Sequence, residues 1–188
     1  MKITYSEQFL SKTFANKIVS KIDNKDFMDS RNIVRSTKKV FEDNLKGKYA
    51  EIALANSIYV KTGLESSLDF EIYDLGVGDS FDVIVGEVSI DVKASSPLAR
   101  TILIEEKKFK SWEQRGVPSY LCMISVVGNE CNYLFGVSYL EFLDKAIKLN
   151  RGDCIPNTDV PLKATNYAIR KKDCYPLSHL IDFIKINH

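Results

Sequence analysis

The 188-residue chain carries 26 Lys and Arg against 25 Asp and Glu, a formal net charge of +1, with 45% hydrophobic and 11% aromatic residues. This is enough apolar material to bury the core of one domain, yet no apolar run approaches the roughly 18 to 20 residues that span a bilayer, which excludes a helical membrane protein. The overall balance also lacks the strongly basic character of many nucleic-acid binders.

The signs are unevenly distributed. Residues 1 to 61 hold 12 Lys and Arg against 7 Asp and Glu, whereas residues 62 to 100 hold 2 against 8. An acidic middle flanked by basic segments suits a cation site between phosphate-gripping walls. The cysteines, Cys122, Cys131, Cys154 and Cys174, follow no Cys-x-x-Cys spacing and no secretory segment precedes them, so a reducing cytoplasm is the expected location. With His179 and His188 as the only histidines, a His-based metal or nucleophile site has almost nothing to work with.

In chain order, Phe9, Leu10, Phe14, Ile18, Val19 and Ile22 recur at helical intervals, and Asp23-Asn24 offers a stop. A second helix is predicted from about Val40 to Val60, ended by Gly63. The pattern then turns to short β-branched or aromatic stretches at Phe70 to Tyr73, Phe81 to Val85 and Val88 to Lys93, separated by Gly76, Gly78 and Gly86. Glu105 to Gln114 reads as a short basic helix closed by Gly116.

Tyr120 to Val127 is an apolar run typical of a central strand covered on both faces, and Asn132 to Val137 returns beside it. Ser138 is predicted to cap a helix running to about Leu149, with Leu140, Phe142, Leu143, Ala146 and Ile147 inside. A loop with Pro156 and Pro161, a strand at Tyr167 to Arg170 and a helix from Leu177 to Ile186 complete the chain. The expectation is a single α/β (α+β) domain over residues 1–188, a mixed sheet with helices on its faces. It divides into a helical N-terminal extension, 1–39, a core, 40–137, and a C-terminal helix, loop and helix, 138–188.

The segment from Ser80 to Lys93 reads as two strands about a Gly86-Glu87 turn. With those two residues as the loop, and Gly first as a type II′ turn prefers, Val85 faces Val88, Ile84 faces Ser89, Val83 faces Ile90 and Asp82 faces Asp91. Like charges directly opposite one another destabilise a sheet unless something compensates them, and a divalent cation does so. Lys93, two residues beyond Asp91, shares its face. Glu51 sits alone among Tyr49, Ala50, Ile52, Ala53 and Leu54, a carboxylate on an apolar helix face, where it either joins a site or pairs with Lys48 or Lys61.

A helix bearing Glu51, then Asp82, then a strand with Asp91-Val92-Lys93, then a helix and an apolar strand, resembles the PD-(D/E)XK, or restriction-endonuclease-like, nuclease superfamily over about residues 45 to 137. Phe81 stands where that family's motif carries Pro. The resemblance implies an α-β-β-β-α-β catalytic core in which Asp82, Asp91, Lys93 and Glu51 are catalytic. It implies that Asp82 and Asp91 bind Mg²⁺, for which Mn²⁺ substitutes, with the Val92 carbonyl and Glu51 as further ligands, while Lys93 orients or deprotonates the attacking water. Its cluster-bearing iron–sulfur branch does not fit the cysteine spacing.

Ser95, Ser96, Lys107, Lys108, Lys110 and Arg115 are the candidates for substrate contact, with Arg31, Arg35, Lys38 and Lys39 as further phosphate holders. The expected function is a Mg²⁺-dependent DNA endonuclease of restriction-enzyme type. The alternatives are a structure-specific or repair nuclease of the same fold, such as a junction resolvase, and a non-catalytic DNA-binding protein. DNA is the expected partner, and a palindrome-cutting enzyme would form a homodimer, with the N-terminal helices as candidate interface.

Overall fold

The computed structural model describes residues 1–21, 27–28, 34–71 and 81–188, with backbone alone for 27–28, 34–35 and Arg115. The expected helix stop at Asp23-Asn24, Ile22, Arg31, Tyr73, Gly76, Gly78 and Ser80, and the side chains of Arg35 and Arg115, lie outside the described residues.

Helix α1, Tyr5–Lys21, opens on a reciprocal cap that satisfies two orphan donors. The Thr4 N–H donates to Glu7 Oε2 at 2.7 Å, and the Glu7 N–H donates to Thr4 Oγ1 at 3.4 Å. Its buried residues are Ser11, Phe14 and Ala15. Phe9 and Leu10, expected inside, are 64% and 55% exposed. The small Ser11 and Ala15 instead form the side on which α1 is buried. Two short strands, β1 at Phe27–Met28 and β2 at Val34–Arg35, pair antiparallel within the segment expected to be helical.

Helix α2, Thr37–Thr62, starts where Ser36 Oγ accepts the Lys39 N–H at 3.2 Å and stops where Gly63 adopts φ 76°, a left-handed conformation that glycine takes without a Cβ clash. All residues from Lys48 to Ala55 are buried, so this stretch is covered all round. Strand β3, Ser67–Leu68, then precedes β4, Val83–Val85, and β5, Val88–Ser95. Of the strand expected at Phe70 to Tyr73, Phe70 and Glu71 are outside any strand and Ile72 and Tyr73 lie outside the described residues; the strand in this region is Ser67–Leu68, paired with Ile84 and Val83.

Strand β6, Thr101–Glu105, and helix α3, Glu106–Arg115, form the crossover to β7, Tyr120–Val127, which lies parallel to β5. Strand β8, Glu130–Ser138, returns antiparallel, giving a mixed five-stranded sheet in the order β3-β4-β5-β7-β8. Helix α2, strands β3 to β5, helix α3 and strand β7 follow the expected α-β-β-β-α-β order, with β6, a strand of a second sheet not anticipated from the sequence, inserted between β5 and α3.

Helix α4, Tyr139–Lys145, is capped by Ser138 as expected but ends four residues short of Leu149. Ile147–Leu149 is strand β9, paired with β10, Asn166–Arg170, which also pairs with β6 in a second antiparallel sheet. Leu140, Leu143 and Ile147 are 77%, 48% and 46% exposed, against an expected interior. Strand pairing with Asn166, Tyr167 and Ala168 outweighs the helix propensity of Lys148 and Leu149. Helix α5, Leu177–Asn187, closes the fold.

Two cores lie on the two faces of the five-stranded sheet. One joins α2 and α5 to Val83, Val85, Val88, Ile90, Val92, Tyr120 and Cys122. The other gathers Ile102, Ile104, Trp112, Leu121, Met123, Val137, Phe142 and Ile169 from the remaining elements. Among the described residues no helix is long and apolar enough to cross a membrane.

Candidate active site at the end of the β4–β5 hairpin

The β4–β5 register is the one the two-residue turn predicts: Val85 pairs with Val88, Ile84 with Ser89 and Val83 with Ile90. Gly86 has φ 56° and Glu87 does not share a positive φ, as a type II′ turn requires. Asp82, expected to pair with Asp91, lies one residue before β4, where the paired register has ended, and is bonded to β5 instead. Its N–H donates to the Ile90 carbonyl at 3.2 Å and its Oδ2 accepts the Val92 N–H at 2.6 Å, bracketing Asp91.

In the parallel register Asp91 and Lys93 are level with Leu121 and Met123. Those two belong to the core on the α3 side, and alternation sends Ile90 and Val92 to the α2 side. Lys93 Nζ is accordingly 2.5 Å from Asp91 Oδ2, while Lys108 Nζ, from α3, contacts Asp91 Oδ1. The Asp91 side chain is 3% exposed, against 25% for Lys93 and 38% for Lys108, so the carboxylate forms the floor and the ammonium groups the mouth.

Helix α3 is anchored by Phe109 and the buried Trp112. The Phe109 ring stands 4.3 Å from Tyr167, and Trp112 meets Tyr139 edge-on at 5.8 Å. That anchorage turns Lys108 inward. Lys110 instead approaches Glu106 at 3.6 Å, a carboxylate it shares with Lys148 at 2.8 Å, and Lys107 is exposed. Lys108 therefore belongs to the carboxylate site, a role that the sequence, read as a basic helix face, did not reveal. Its signal was the neighbouring Phe109 and Trp112, which mark the buried side of the helix.

Burial and the adjacent Asp91 push the Asp82 carboxyl above the ordinary range, against the pull of Lys108, Lys93 and the Val92 N–H. Burial pushes Asp91 the same way, but Lys93 and Lys108 outweigh it and hold it down at about 2. Lys108 is raised: burial disfavours its charge, and Asp91 and Asp82 more than offset that. The buried Cys122 thiol, level with Val92, is pushed well up by burial and the two carboxylates, which keeps it a neutral core residue.

Glu51 is buried on α2, which packs against the Val88, Ile90 and Val92 face of β5. Its Oε2 is 2.7 Å from Lys48 Nζ, and Lys48 also reaches the Asp69 carbonyl and the rings of Phe14 and Phe70. The structure brings Asp82, Asp91 and Lys93 together and pairs Glu51 with Lys48 instead. Ser95 ends β5 opposite Ser125, half-buried, and the exposed Ser96 gives its carbonyl to the Ala99 N–H at 3.1 Å within a turn.

The donor set suits a hard cation. Lys93 lies against Asp91 Oδ2 without the alignment of a directed hydrogen bond, leaving that buried oxygen short of a donor. A strand residue sends its N–H and C=O to the same edge, so the Val92 carbonyl emerges on the Asp82 side, as its N–H does. Two carboxylates and one carbonyl leave places for water and phosphate oxygens, the usual manner in which Mg²⁺ is held. Among the described residues no group of three or more His, Cys, Asp and Glu is arranged as a metal cage.

No family model matches the chain, and no curated protein matches it. Among solved structures it is similar to a nuclease from a fusselovirus, at 17% identity over 71% of this chain and 82% of that chain, with a TM-score of 0.40.

Proposed function

We propose that this protein is a Mg²⁺-dependent DNA endonuclease of restriction-enzyme type, hydrolysing phosphodiester bonds, with Mn²⁺ able to substitute. The observation that carries the reading is the side-by-side pair Asp82 and Asp91 with Lys93 Nζ 2.5 Å from Asp91 Oδ2 at a partly exposed mouth. Asp82, Asp91 and the Val92 carbonyl would hold the cation. When bound, the cation supplies an acidified water and offsets charge developing on the phosphorane.

Asp91, held down at about 2, stays ionised and available as a ligand at neutral pH. Asp82 is oriented by the Val92 N–H, so its second oxygen is directed without a loss of side-chain freedom on binding. Lys93 orients the attacking water and adds positive charge next to the scissile phosphate. Lys107 and Lys110, on the outward side of α3, contribute phosphate contacts. A homodimer is proposed for the cutting of two strands.

The test is incubation with supercoiled and linear DNA under Mg²⁺, Mn²⁺ and chelator, followed by end mapping, with Asp91→Asn run in parallel. Metal-dependent cleavage that Asp91→Asn lacks is the expected result. Cleavage that persists in chelator, or at equal rate in the variant, would sink the proposal.

A further inference from the structure

Lys108 reaches the carboxylate pair from a different element than the hairpin and takes the Asp91 oxygen that Lys93 leaves open. Lys93 stands against Oδ2 at 2.5 Å, and Lys108 contacts Oδ1. Each oxygen through which Asp91 would bind a cation is therefore already against an ammonium group. Two carboxylates face two ammonium groups in a site that is neutral by itself, so an arriving divalent cation meets like charge before it meets its ligands.

The two lysines are not equally able to give way. Lys93 is fixed two residues from Asp91 on the same strand, with its side chain 25% exposed. Lys108 stands on α3 at the end of a flexible four-carbon stem and is 38% exposed, so it can swing outward with no change in the backbone. Asp91 is held in the middle of the sheet at 3% exposure and cannot follow it. Helix α3 itself is fixed by Phe109 and Trp112, which leaves side-chain rotation as the route of exchange.

We propose that Lys108 is the resident counter-ion of Asp91, positioning the carboxylate while no divalent cation is bound and leaving it when one binds. This rests on the metal-binding reading of Asp82 and Asp91. Lys108 and the cation compete for one oxygen, so the wild-type protein binds the cation more weakly than its donor set alone allows. Exchange also exposes the ammonium group. Both consequences are read without any cleavage assay.

The experiment is calorimetric titration of Mn²⁺ alone into the DNA-free protein, wild type against Lys108→Met, which keeps the apolar stem and removes the charge. Tighter binding by the variant, by at least about fivefold, the low end of ordinary coupling energies, is expected. Equal or weaker binding by a folded variant overturns the inference while leaving the metal site standing. Binding by neither protein overturns the metal site itself, and the inference with it. A second measurement needs no variant: lysine acetylation of the wild type, read by peptide mass spectrometry, should accelerate at Lys108 when Mn²⁺ saturates the site. An unchanged rate at Lys108, with Mn²⁺ bound, overturns the inference even where the variant fails to fold.

Discussion

Asp82 and Asp91 lie next to each other at the open end of one hairpin with their proton affinities shifted in opposite directions: Lys93 and Lys108 contact Asp91, whereas Asp82 accepts the Val92 N–H. Burial and the Asp91 charge raise Asp82, while Lys93 and Lys108 overcome burial at Asp91. A raised carboxyl favours folding below its unfolded value and loses that contribution as pH rises through the folded one. Asp82→Asn, which keeps an oxygen for the Val92 N–H, is therefore expected to stabilise the metal-free protein at pH 7 by roughly 0.5 to 1 kcal/mol. The gain should fade as pH falls through the raised Asp82 value and be gone below 3.8, the ordinary carboxyl value. Melting curves in chelator at the two pH values check this, and a lower melting point for the variant at pH 7 would refute it.

Asp91→Asn should have the reverse sign. It strips the anion from beneath two ammonium groups, and breaking such a pair costs several kcal/mol when buried; with the lysines partly exposed, about 2 kcal/mol is expected at neutral pH. Because the folded Asp91 value is depressed to about 2, its contribution is complete above 3.8 and is lost as pH falls through about 2. Urea titrations of variant and wild type across that range measure the difference directly.

Lys93→Ala leaves both carboxylates and the Val92 carbonyl in place. Loss of a positioned charge beside the reacting phosphate should slow Mg²⁺-dependent cleavage about a hundredfold or more with little change in DNA binding. Single-turnover rates and a gel-shift titration separate these effects. Wild-type turnover by the variant would remove Lys93 from the mechanism.

Glu51 and Lys48 form an ion pair with side chains 8% and 3% exposed, beneath α1 and against Phe14. Glu51→Gln takes one charged partner from the buried Lys48 and should cost roughly 1 to 3 kcal/mol of stability. The double change Lys48→Met with Glu51→Leu removes both charges while keeping the side-chain bulk, and so tests Glu51 apart from its ion pair. Cleavage by the double variant is expected to match wild type. A loss of tenfold or more, about 1.4 kcal/mol in the barrier, would return Glu51 to the chemistry.

Gly136 lies where a Cβ would come within 2.3 Å of Tyr133 Oη and 2.7 Å of the Leu121 carbonyl. It follows the register shift at Met123/Ile124, where β8 carries an extra residue against β7. Gly136→Ala must displace the β7 backbone as well as Tyr133 and Tyr120, so a loss of about 3 kcal/mol is expected. Denaturant unfolding reads it, and a loss under half that size would mean that the β7–β8 pair yields easily.

The hairpin was legible in the sequence because a two-residue turn with glycine first counts out its own register, and strand alternation then puts Asp91 and Lys93 on one face; Asp82 reaches them from just outside the paired residues. The same local logic found Gly63 as the end of α2, Ser138 as a cap and Tyr120 to Val127 as a buried strand. Tertiary structure alone decided the rest. Ile147 to Leu149 left the helix for β9 because β10, some twenty residues away, offered a strand edge, and the same strand gave Thr101 to Glu105 a partner. Lys108 turned to Asp91 because Phe109 and Trp112 fixed the rotation of α3, and Glu51 turned to Lys48 because α2 took the other face of β5. A period in the sequence fixes which side of an element is apolar, but the partner of a buried charge depends on which distant surface covers that side, and this is set by the burial and pairing of the whole chain.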